Sequence, residues 1–279
     1  MIVQHNMTAL NANRQLGVSN SSLAKSTEKL SSGYRINRAG DDAAGLSISE
    51  KMRGQIRGLN QASTNAQDGV SLIQTAEGAM NEIHSVLQRM RELTVQAAND
   101  TNATEDRGAI KLEQSQLIAE INRIASQTEF NGKKLLKGDL STNQLNLQVG
   151  ANTGQNIGVK IKNLSVSNLA TTTVGLSKAV AAMSSYGSAT SFIASIDSAI
   201  KTVSDQRSTL GAIQNRLEHT IANADNTAEN LQAAESRIRD VDMADEMVKY
   251  SKSSILQQAG QSMLAQANQS TQGVLSLLR

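Results

Sequence analysis

A seven-residue apolar repeat runs through three separated stretches of this 279-residue chain and constrains its fold more than any other feature. A sustained spacing of seven keeps one side of a helix facing a partner, which is typical of coiled coils and long helical bundles. The chain has no proline, so no helix is forced to kink. The rows are Ile2, Ala9, Leu16, Leu23 and Leu30; Met52, Leu59, Ala66, Ile73, Met80 and Leu87, with a companion row Ala62, Gly69, Ala76, Ile83, Met90 and Ala97; and Ile196, Val203, Leu210, Leu217, Ala224, Leu231 and Ile238.

The composition favours a thin interior. Aromatic residues make up only 2% of the chain, and its apolar residues are mainly Ala, Leu, Ile, Val and Met. Small side chains bury little area each, at roughly 25 cal/mol per Å². A helix from Gly58 to Asn99 would be about 60 Å long at 1.5 Å per residue. The pattern therefore predicts a mainly α fold, an elongated coiled-coil or helical-bundle rod.

Breaks between the predicted helices are visible. We expect Gly33 to end the first helix in a left-handed cap, and residues 37–42 to form a linker whose aspartate starts the next helix. Residues 99–102 read as a turn. A third helix with an apolar face then runs to about Thr128. Its apolar face consists of Ile110, Leu117, Ile121 and Ile124.

The middle of the chain has a different pattern. Apolar residues alternate with polar ones on both sides of the glycine-containing segment 150–154, which predicts one small β-hairpin. Residues 171–191 have no clear period and are predicted to be loop. Helix resumes at Phe192 and, with a jog at 223–226, continues nearly to the end. The alternating residues are Leu145, Leu147 and Val149, then Val159 and Ile161.

Both ends of the chain are amphipathic helices without a partner in their own sequence neighbourhood. They could pair with each other, with other copies of the chain, or with both. Terminal coiled-coil segments that hold an assembly together are the natural physical interpretation. The predicted polymerisation seams are Leu16, Leu23, Leu30, Val241, Val248, Ile255, Met263 and Leu277.

The residues offer little support for an enzyme. His5, His84 and His219 lack metal-ligand spacing, and the adjacent Asp41 and Asp42 are better suited to capping a helix than to catalysis. The absence of cysteine excludes a disulfide scaffold, a thiolate metal site and a cysteine nucleophile. We therefore predict no enzyme activity, no cofactor and no metal.

Charge and hydropathy bear on partners and location. The net charge of +2 gives no large electrostatic field that would attract nucleic acid. No apolar run approaches the ~20 residues of a membrane span. Residues 1–6 have neither a cationic leader nor an apolar segment, so no cleaved signal peptide is expected. Composition alone would favour the cytoplasm.

Specific strings in both halves of the chain change that expectation. They are 31–37 (SSGYRIN), 41–46 (DDAAGL), 89–96 (RMRELTVQ), 128–132 (TEFNG), 236–240 (SRIRD) with Asp242, 255–260 (ILQQAG), 265–269 (AQANQ) and 274–279 (VLSLLR). These strings closely resemble signatures of bacterial flagellin, and the resemblance covers about 1–149 and 193–279, in order. Tyr34 departs from a usual leucine, Arg38 and Gly40 alter the linker, and residues 270–272 stand where a proline is usual.

The resemblance implies a structural subunit of the flagellar filament, a helical propeller built of many copies, here without large outer domains. It also implies three domains: 1–45 with 236–279, an inner polymerisation coiled coil of paired termini; 46–139 with 192–235, a helical rod; and 140–191, the hairpin and a variable loop.

The resemblance further implies export through a dedicated channel to the extracellular filament, without a cleaved signal peptide, and an export chaperone, cap and hook-associated proteins as partners. A flagellin-like protein of the hook–filament junction is the main alternative. A flagellin carrying a metalloprotease insert is disfavoured, because the chain has no His-Glu-x-x-His and little room for an insert.

The family also implies contact with a host protein. Arg89, Leu93 and Glu113, flanked by Gln88 and Gln96, match the positions that Toll-like receptor 5 engages on flagellins. The helical spacing places Arg89 and Leu93 on an exposed or half-exposed face. Packing between subunits is the other interpretation of these residues, and both can hold at once.

Overall fold

A computed structural model describes residues 6–169, 176, 180 and 186–277, and for residues 142 and 271–277 it describes the backbone alone. The predicted mainly α class is confirmed. The elements are α1 (Met7–Ser32), α2 (Ala43–Ala97), α3 (Thr104–Gln127), β1 (Glu129–Phe130), β2 (Lys133–Lys134), α4 (Asp139–Thr142), β3 (Leu145–Gln148), β4 (Asn156–Val159), α5 (Val166–Leu169), α6 (Tyr186–Arg239) and α7 (Met243–Leu277).

Most predicted helix boundaries agree with the structure, and local chemistry explains them. Gly33 ends α1 with a left-handed φ of 75°, and its N–H donates to the Lys29 carbonyl. The Asp42 carboxylate accepts a hydrogen bond from the Gly45 N–H at 2.9 Å and so caps α2. Asp242 caps α7 in the same way, accepting from the Ala244 N–H at 2.9 Å.

The chain divides into two compact units. Unit 1 comprises the residues up to 56 and from 229 onward, and unit 2 comprises 57–228. In unit 1, α1 and α7 pair antiparallel, so the predicted pairing of the termini is confirmed. Three contacts define the alignment: the Asn6 amide donates to the Ala267 carbonyl, Ser22 meets Ser253, and Leu16 lies against Gly260.

Unit 2 has a continuous apolar core supplied mainly by α2, α3 and α6. The predicted heptad rows of α2 and α6 lie on their buried sides, and Phe192 is completely buried. Ion pairs Arg91–Asp197 and Glu77–Arg207 join the antiparallel helices α2 and α6. The fully buried members of the rows include Ala66, Ile73, Met80, Leu87, Ile83, Met90, Ile196, Val203, Leu210 and Leu217.

The predicted hairpin is present as β3 and β4, with Leu145 opposite Val159 and Leu147 opposite Ile157. It packs on α2 where glycine leaves room. A Cβ on Gly69 would overlap the Leu147 side chain. The Asn65 amide donates to the Gln148 carbonyl at 3.1 Å and fixes the hairpin against the helix.

Two predictions about α6 are wrong. The helix begins at Tyr186, inside the segment predicted as loop, and it passes without interruption through 223–226 to Arg239. Asparagine costs a helix only a few tenths of a kcal/mol, and buried Ala224 and Ala228 keep that turn packed. The remainder of the predicted 171–191 loop, apart from buried Leu176 and Val180, lies outside the described residues.

One element was not predicted. Strands β1 and β2 form a second antiparallel pair around Asn131 and Gly132, whose φ angles are 49° and 73°. Positive φ at both central positions is the signature of a type I′ turn, for which Asn-Gly is the preferred sequence. The Asn-Gly dipeptide could have predicted this turn. The strands on either side have only two residues each, which is too short for an alternating pattern to be visible.

Candidate functional site

The first candidate surface is the helix pair of unit 1. Polar and small side chains occupy most of the side of α7 that faces α1. Glu246 is almost fully buried there and accepts a hydrogen bond from the Ser26 hydroxyl at 2.7 Å. Its other oxygen lies 3.2 Å from the Lys249 ammonium. A buried carboxylate with two partners specifies alignment more than it adds stability.

These contacts determine the ionisation of Glu246. Burial raises the pKa of the Glu246 carboxyl, but the hydrogen bond from Ser26 and the contact with Lys249 outweigh it. The pKa therefore lies below its ordinary value. The group is charged at neutral pH, inside the helix pair.

Some of the predicted seam residues lie between α1 and α7, and others lie on the exposed side of α7. Leu16, Leu23 and Leu30 are half-buried on the side of α1 that faces α7, and Val241 is half-buried as well. Val248, Ile255 and Met263, in contrast, are each more than 60% exposed on α7. Leu277 has a helical backbone, and its side chain lies outside the described residues.

Periodicity missed the inward side of α7 because that side is not apolar. Its half-buried and buried positions follow the heptad spacing of three and four, but five of the seven carry Glu, Tyr, Ser, Gln or Gly. Hydrophobicity marks the opposite side of the helix. The inward positions are Glu246, Tyr250, Ser253, Gln257, Gly260, Leu264 and Ala267.

An apolar strip therefore remains uncovered within the described part of unit 1. On α7 it forms a shallow groove lined by Met247, Val248, Ile255 and Leu256, with Ser251 and Lys252 at its edges. On α1 its members are Met7, Leu10 and Val18, and Met7 and Leu10 line a second groove shared with Leu264 of α7. We use the name outer strip for these residues together with Met243 and Met263.

Two linkers lie side by side where the helices of unit 1 break. Tyr34 forms a β-bridge with Asp240, and the Arg35 N–H donates to the Arg239 carbonyl at 2.7 Å. The Arg239 guanidinium lies 4.6 Å from the centre of the Tyr34 ring and 3.1 Å from the Glu50 carboxylate. The aromatic residue that departs from the family pattern thus takes part in a cation–π contact.

The second candidate surface is on unit 2. The Arg89 guanidinium bonds the carboxylates of Glu113 and Glu92 at 3.0 and 3.2 Å, which raises the pKa of Arg89 above its ordinary value. Gln88 and Gln96 are exposed on a neighbouring side of α2, where they line a groove with residues of α6. The predicted residues are therefore near one another but face in more than one direction.

Leu93 does not lie on an exposed or half-exposed face, as the helical spacing had suggested. It is 2% exposed and belongs to the core of unit 2. Gln114 of α3 is also buried, and its amide donates to the Thr94 hydroxyl at 2.8 Å beside that core. The core around Leu93 includes residues of α3 and α6, which the pattern of α2 alone could not reveal.

Among the described residues, hydropathy does not indicate a membrane span, and the carboxylates and histidines do not indicate a metal site. No helix in the described ranges combines the length and the hydropathy of a membrane span. Within the same residues, no three carboxylates or histidines come together as metal ligands. Asp41, one of the two adjacent aspartates, accepts hydrogen bonds from the N–H groups of Asn37 and Arg38 and holds the linker.

Models of known families match both ends of the chain. The model of the bacterial flagellin N-terminal helical region matches residues 3–141, and that of the C-terminal helical region matches 193–278. The chain belongs to the bacterial flagellin family. Flagellins are structural proteins and not enzymes, so the chain is a structural subunit of the flagellar filament.

Individual relatives agree with this assignment. A flagellin of Halalkalibacterium halodurans is 57% identical over 279 residues, and the match covers 100% of both chains. A flagellar filament 33 kDa core protein of Treponema phagedenis is 53% identical over 287 residues, again with full coverage of both. The crystal structure of Bacillus cereus flagellin aligns with a TM-score of 0.50 at 32% identity, over 62% of this chain and 94% of that one.

Proposed function

We propose that this chain polymerises into the filament through the outer strip of its terminal helices. The molecule that covers the strip is another copy of the same chain. The single observation that carries the proposal is the placement of the strip on the side of α7 turned away from α1. Val248 is two positions beyond buried Glu246, which is about 200° around the helix. The predicted domain of residues 1–45 and 236–279 is then the polymerising part.

The energy of covering the strip supports this. Fully burying a Met, Val, Ile or Leu side chain contributes about 1.5–3 kcal/mol. The four groove residues Met247, Val248, Ile255 and Leu256 are between 48% and 69% exposed. Covering them would thus contribute on the order of 3–7 kcal/mol per subunit, before the entropy of association is subtracted. Flagellin is a polymerising family, which favours a second copy over a different protein.

The test places a charge in the strip. We expect Val248→Asp to abolish polymerisation of purified subunits, measured by sedimentation and electron microscopy, because an aspartate cannot be buried without a partner. Tyr186→Asp is the matched control: it changes another exposed large side chain, but at the first residue of α6, where an acidic residue is tolerated. Normal filaments from Val248→Asp would contradict the proposal.

Truncation tests the same proposal at a coarser level. We expect removal of residues 1–30 or of 250–279 to abolish filaments while the helices of unit 2 persist in the circular dichroism spectrum. Unit 2 has its own apolar core, which neither deletion touches. A truncated chain that still polymerised normally would place the seams elsewhere.

We further propose that the exposed residues near Arg89 contact Toll-like receptor 5 of a host. The guanidinium is held on a long helix by Glu92 and Glu113, and such pre-ordered arginines are suited to protein interfaces. Gln88 and Gln96 would contribute at the edge, while Leu93 would support the helix from the core. Packing against neighbouring subunits remains the alternative use of this surface.

A receptor-reporter assay with monomers tests this contact. We expect Arg89→Ala to weaken the response and Arg123→Ala to leave it unchanged, since Arg123 is an equally exposed, ion-paired arginine of α3. Equal responses from both variants and the unmodified chain would contradict the assignment.

An export chaperone, cap and hook-associated proteins are proposed as further partners, and the uncovered outer strip is a surface that such a chaperone could protect. We also propose that the subunit reaches the extracellular filament without cleavage. The intact mass of protein recovered from filaments measures this directly: a mass short of the full chain would contradict it.

A further inference from the structure

Of the seven methionines that the structure describes, six fall into two groups of opposite exposure, and Met52 is half-buried. In unit 2, Met80 and Met90 are completely buried. In unit 1, four methionines of α1 and α7 expose between 48% and 67% of their surface. Those four are Met7, Met243, Met247 and Met263.

The exposed methionines coincide with the surface that assembly would use. Met247 lines the groove of α7 beside Val248, and Met7 lines the second groove beside Leu10. Among the described residues, the mutually facing sides of α1 and α7 carry no methionine. A change confined to these four side chains therefore spares both the core of unit 2 and the contacts that hold the helix pair together.

We propose that Met7, Met243, Met247 and Met263 form a peroxide-sensitive modification site that reversibly blocks assembly of the free subunit. This rests on the proposed function of the outer strip. The thioether sulfur donates an electron pair to one oxygen of hydrogen peroxide; the O–O bond breaks, an S–O bond forms, and water leaves after proton transfer. The sulfur is oxidised by two electrons to a sulfoxide, and the peroxide is reduced to water.

The sulfoxide changes the chemistry of the strip. A flexible apolar side chain becomes polar, and its new oxygen needs a hydrogen-bond donor wherever it is buried. Val248, Ile255 and Leu256 in the groove supply none, and the donors Ser251 and Lys252 lie only at its edges. Oxidised subunits should therefore fail to pack on other copies. Sulfoxide reductases restore the thioether and, with it, the assembling form.

Peroxide treatment of the full-length monomer is the experiment. Peptide mass spectrometry measures the sulfoxide at each methionine, and sedimentation measures polymerisation after the peroxide is removed. We expect the four exposed methionines to oxidise at least about tenfold faster than Met80 and Met90, because access governs the rate. The polymerised fraction should fall at least about fivefold, return after reductase treatment, and be protected in preformed filaments.

Substitutions assign the effect to these side chains. A chain with all four exposed methionines changed to leucine should polymerise and no longer respond to peroxide. The matched control, Met80→Leu with Met90→Leu, should stay sensitive, and this swap nearly conserves core volume. If the fourfold variant does not polymerise on its own, reductase rescue of the oxidised unmodified chain decides instead.

The outcomes separate this inference from the proposed function. Oxidised protein that polymerises like untreated protein overturns the inference alone, as does loss of assembly that reductase cannot restore. Equal oxidation of buried and exposed methionines also overturns it. If Val248→Asp polymerises normally, the outer strip is not the contact surface, and both proposals fall.

Discussion

Both units of this chain are built of long helices, but the buried residues of unit 2 are mainly apolar and those of unit 1 are mainly small or polar. In unit 2, long rows of Leu, Ile, Val and Met are completely buried in one cluster. In unit 1, Ile36 is the one large apolar side chain among the buried described residues, which otherwise are Ser26, Gly45, Ser49, Glu246 and Ser253. Unit 2 therefore carries its own stability, while unit 1 leaves much of its apolar surface outside.

This difference separates folding from assembly. A helix pair whose buried positions are mainly serine, glycine and one carboxylate, and whose inward-facing leucines are only half-buried, is marginal, because each polar contact adds little once water competes for the same groups. Its exposed apolar residues, such as Val248 and Ile255, gain burial only against another molecule. A subunit of this design leaves apolar surface available for the assembly proposed above.

The largest effect should come from the core of unit 2. Leu87→Ala removes a completely buried side chain, and we expect the free energy of unfolding to fall by about 2–5 kcal/mol in urea titrations. Leu23→Ala, at a half-buried position of α1, should lower the stability of unit 1 by only about 1 kcal/mol. Hydrogen exchange measures the stability of each unit separately. If the two variants lost equal unfolding free energy, the proposed difference between the interiors of the two units would be wrong.

Glycines of α2 provide a smaller test within unit 2. Gly69→Ala should destabilise by about 1–3 kcal/mol, because the new methyl group overlaps Leu147 of the hairpin. Gly78→Ala meets nothing within 4 Å and should stabilise by about 0.5–1 kcal/mol. Thermal unfolding of the two variants gives the signs, and a gain for Gly69→Ala would mean that the hairpin packs loosely.

Acid should destabilise unit 1 through Glu246, and we expect this effect to be smaller than those of the core and glycine substitutions above. The pKa of this carboxyl is lower in the folded chain than its ordinary 4.5, so its stabilising contribution is complete above that pH. The contribution is lost as pH falls through the lower, folded value. Hydrogen exchange of α7 should therefore accelerate below 4.5, and Glu246→Gln should reduce this acid dependence. An unchanged acid response in that variant would assign it to other carboxylates.

The sequence predicted the rows of α2 and α6 because packing there follows hydrophobicity. Ile73, Met80 and Leu210 are buried where the period of seven puts them. On α7 the apolar row does not face α1: Val248 and Ile255 lie outside, and Glu246 lies inside. A pattern of apolar residues identifies a face that needs a partner, but it does not say whether the partner is in the same chain.

Leu93 illustrates a second limit. Its neighbour Arg89 is exposed, and one helix considered alone could place both at a surface. Burial of Leu93 depends on the core that α2 shares with α3 and α6, which come from other parts of the sequence. The Asn131-Gly132 turn, in contrast, was readable from two residues, because its conformation depends on them alone.

The alignment of α1 with α7 has a consequence for the order of folding. Asn6 bonds Ala267 across 261 positions of sequence, and Ser26 bonds Glu246 across 220. Closing such long loops is costly until intervening residues have folded and brought the ends together. In the sequence, unit 2 lies between the two terminal helices, and its core contains no residue of either helix. We therefore expect the terminal helices to pair last on folding and to separate first on unfolding.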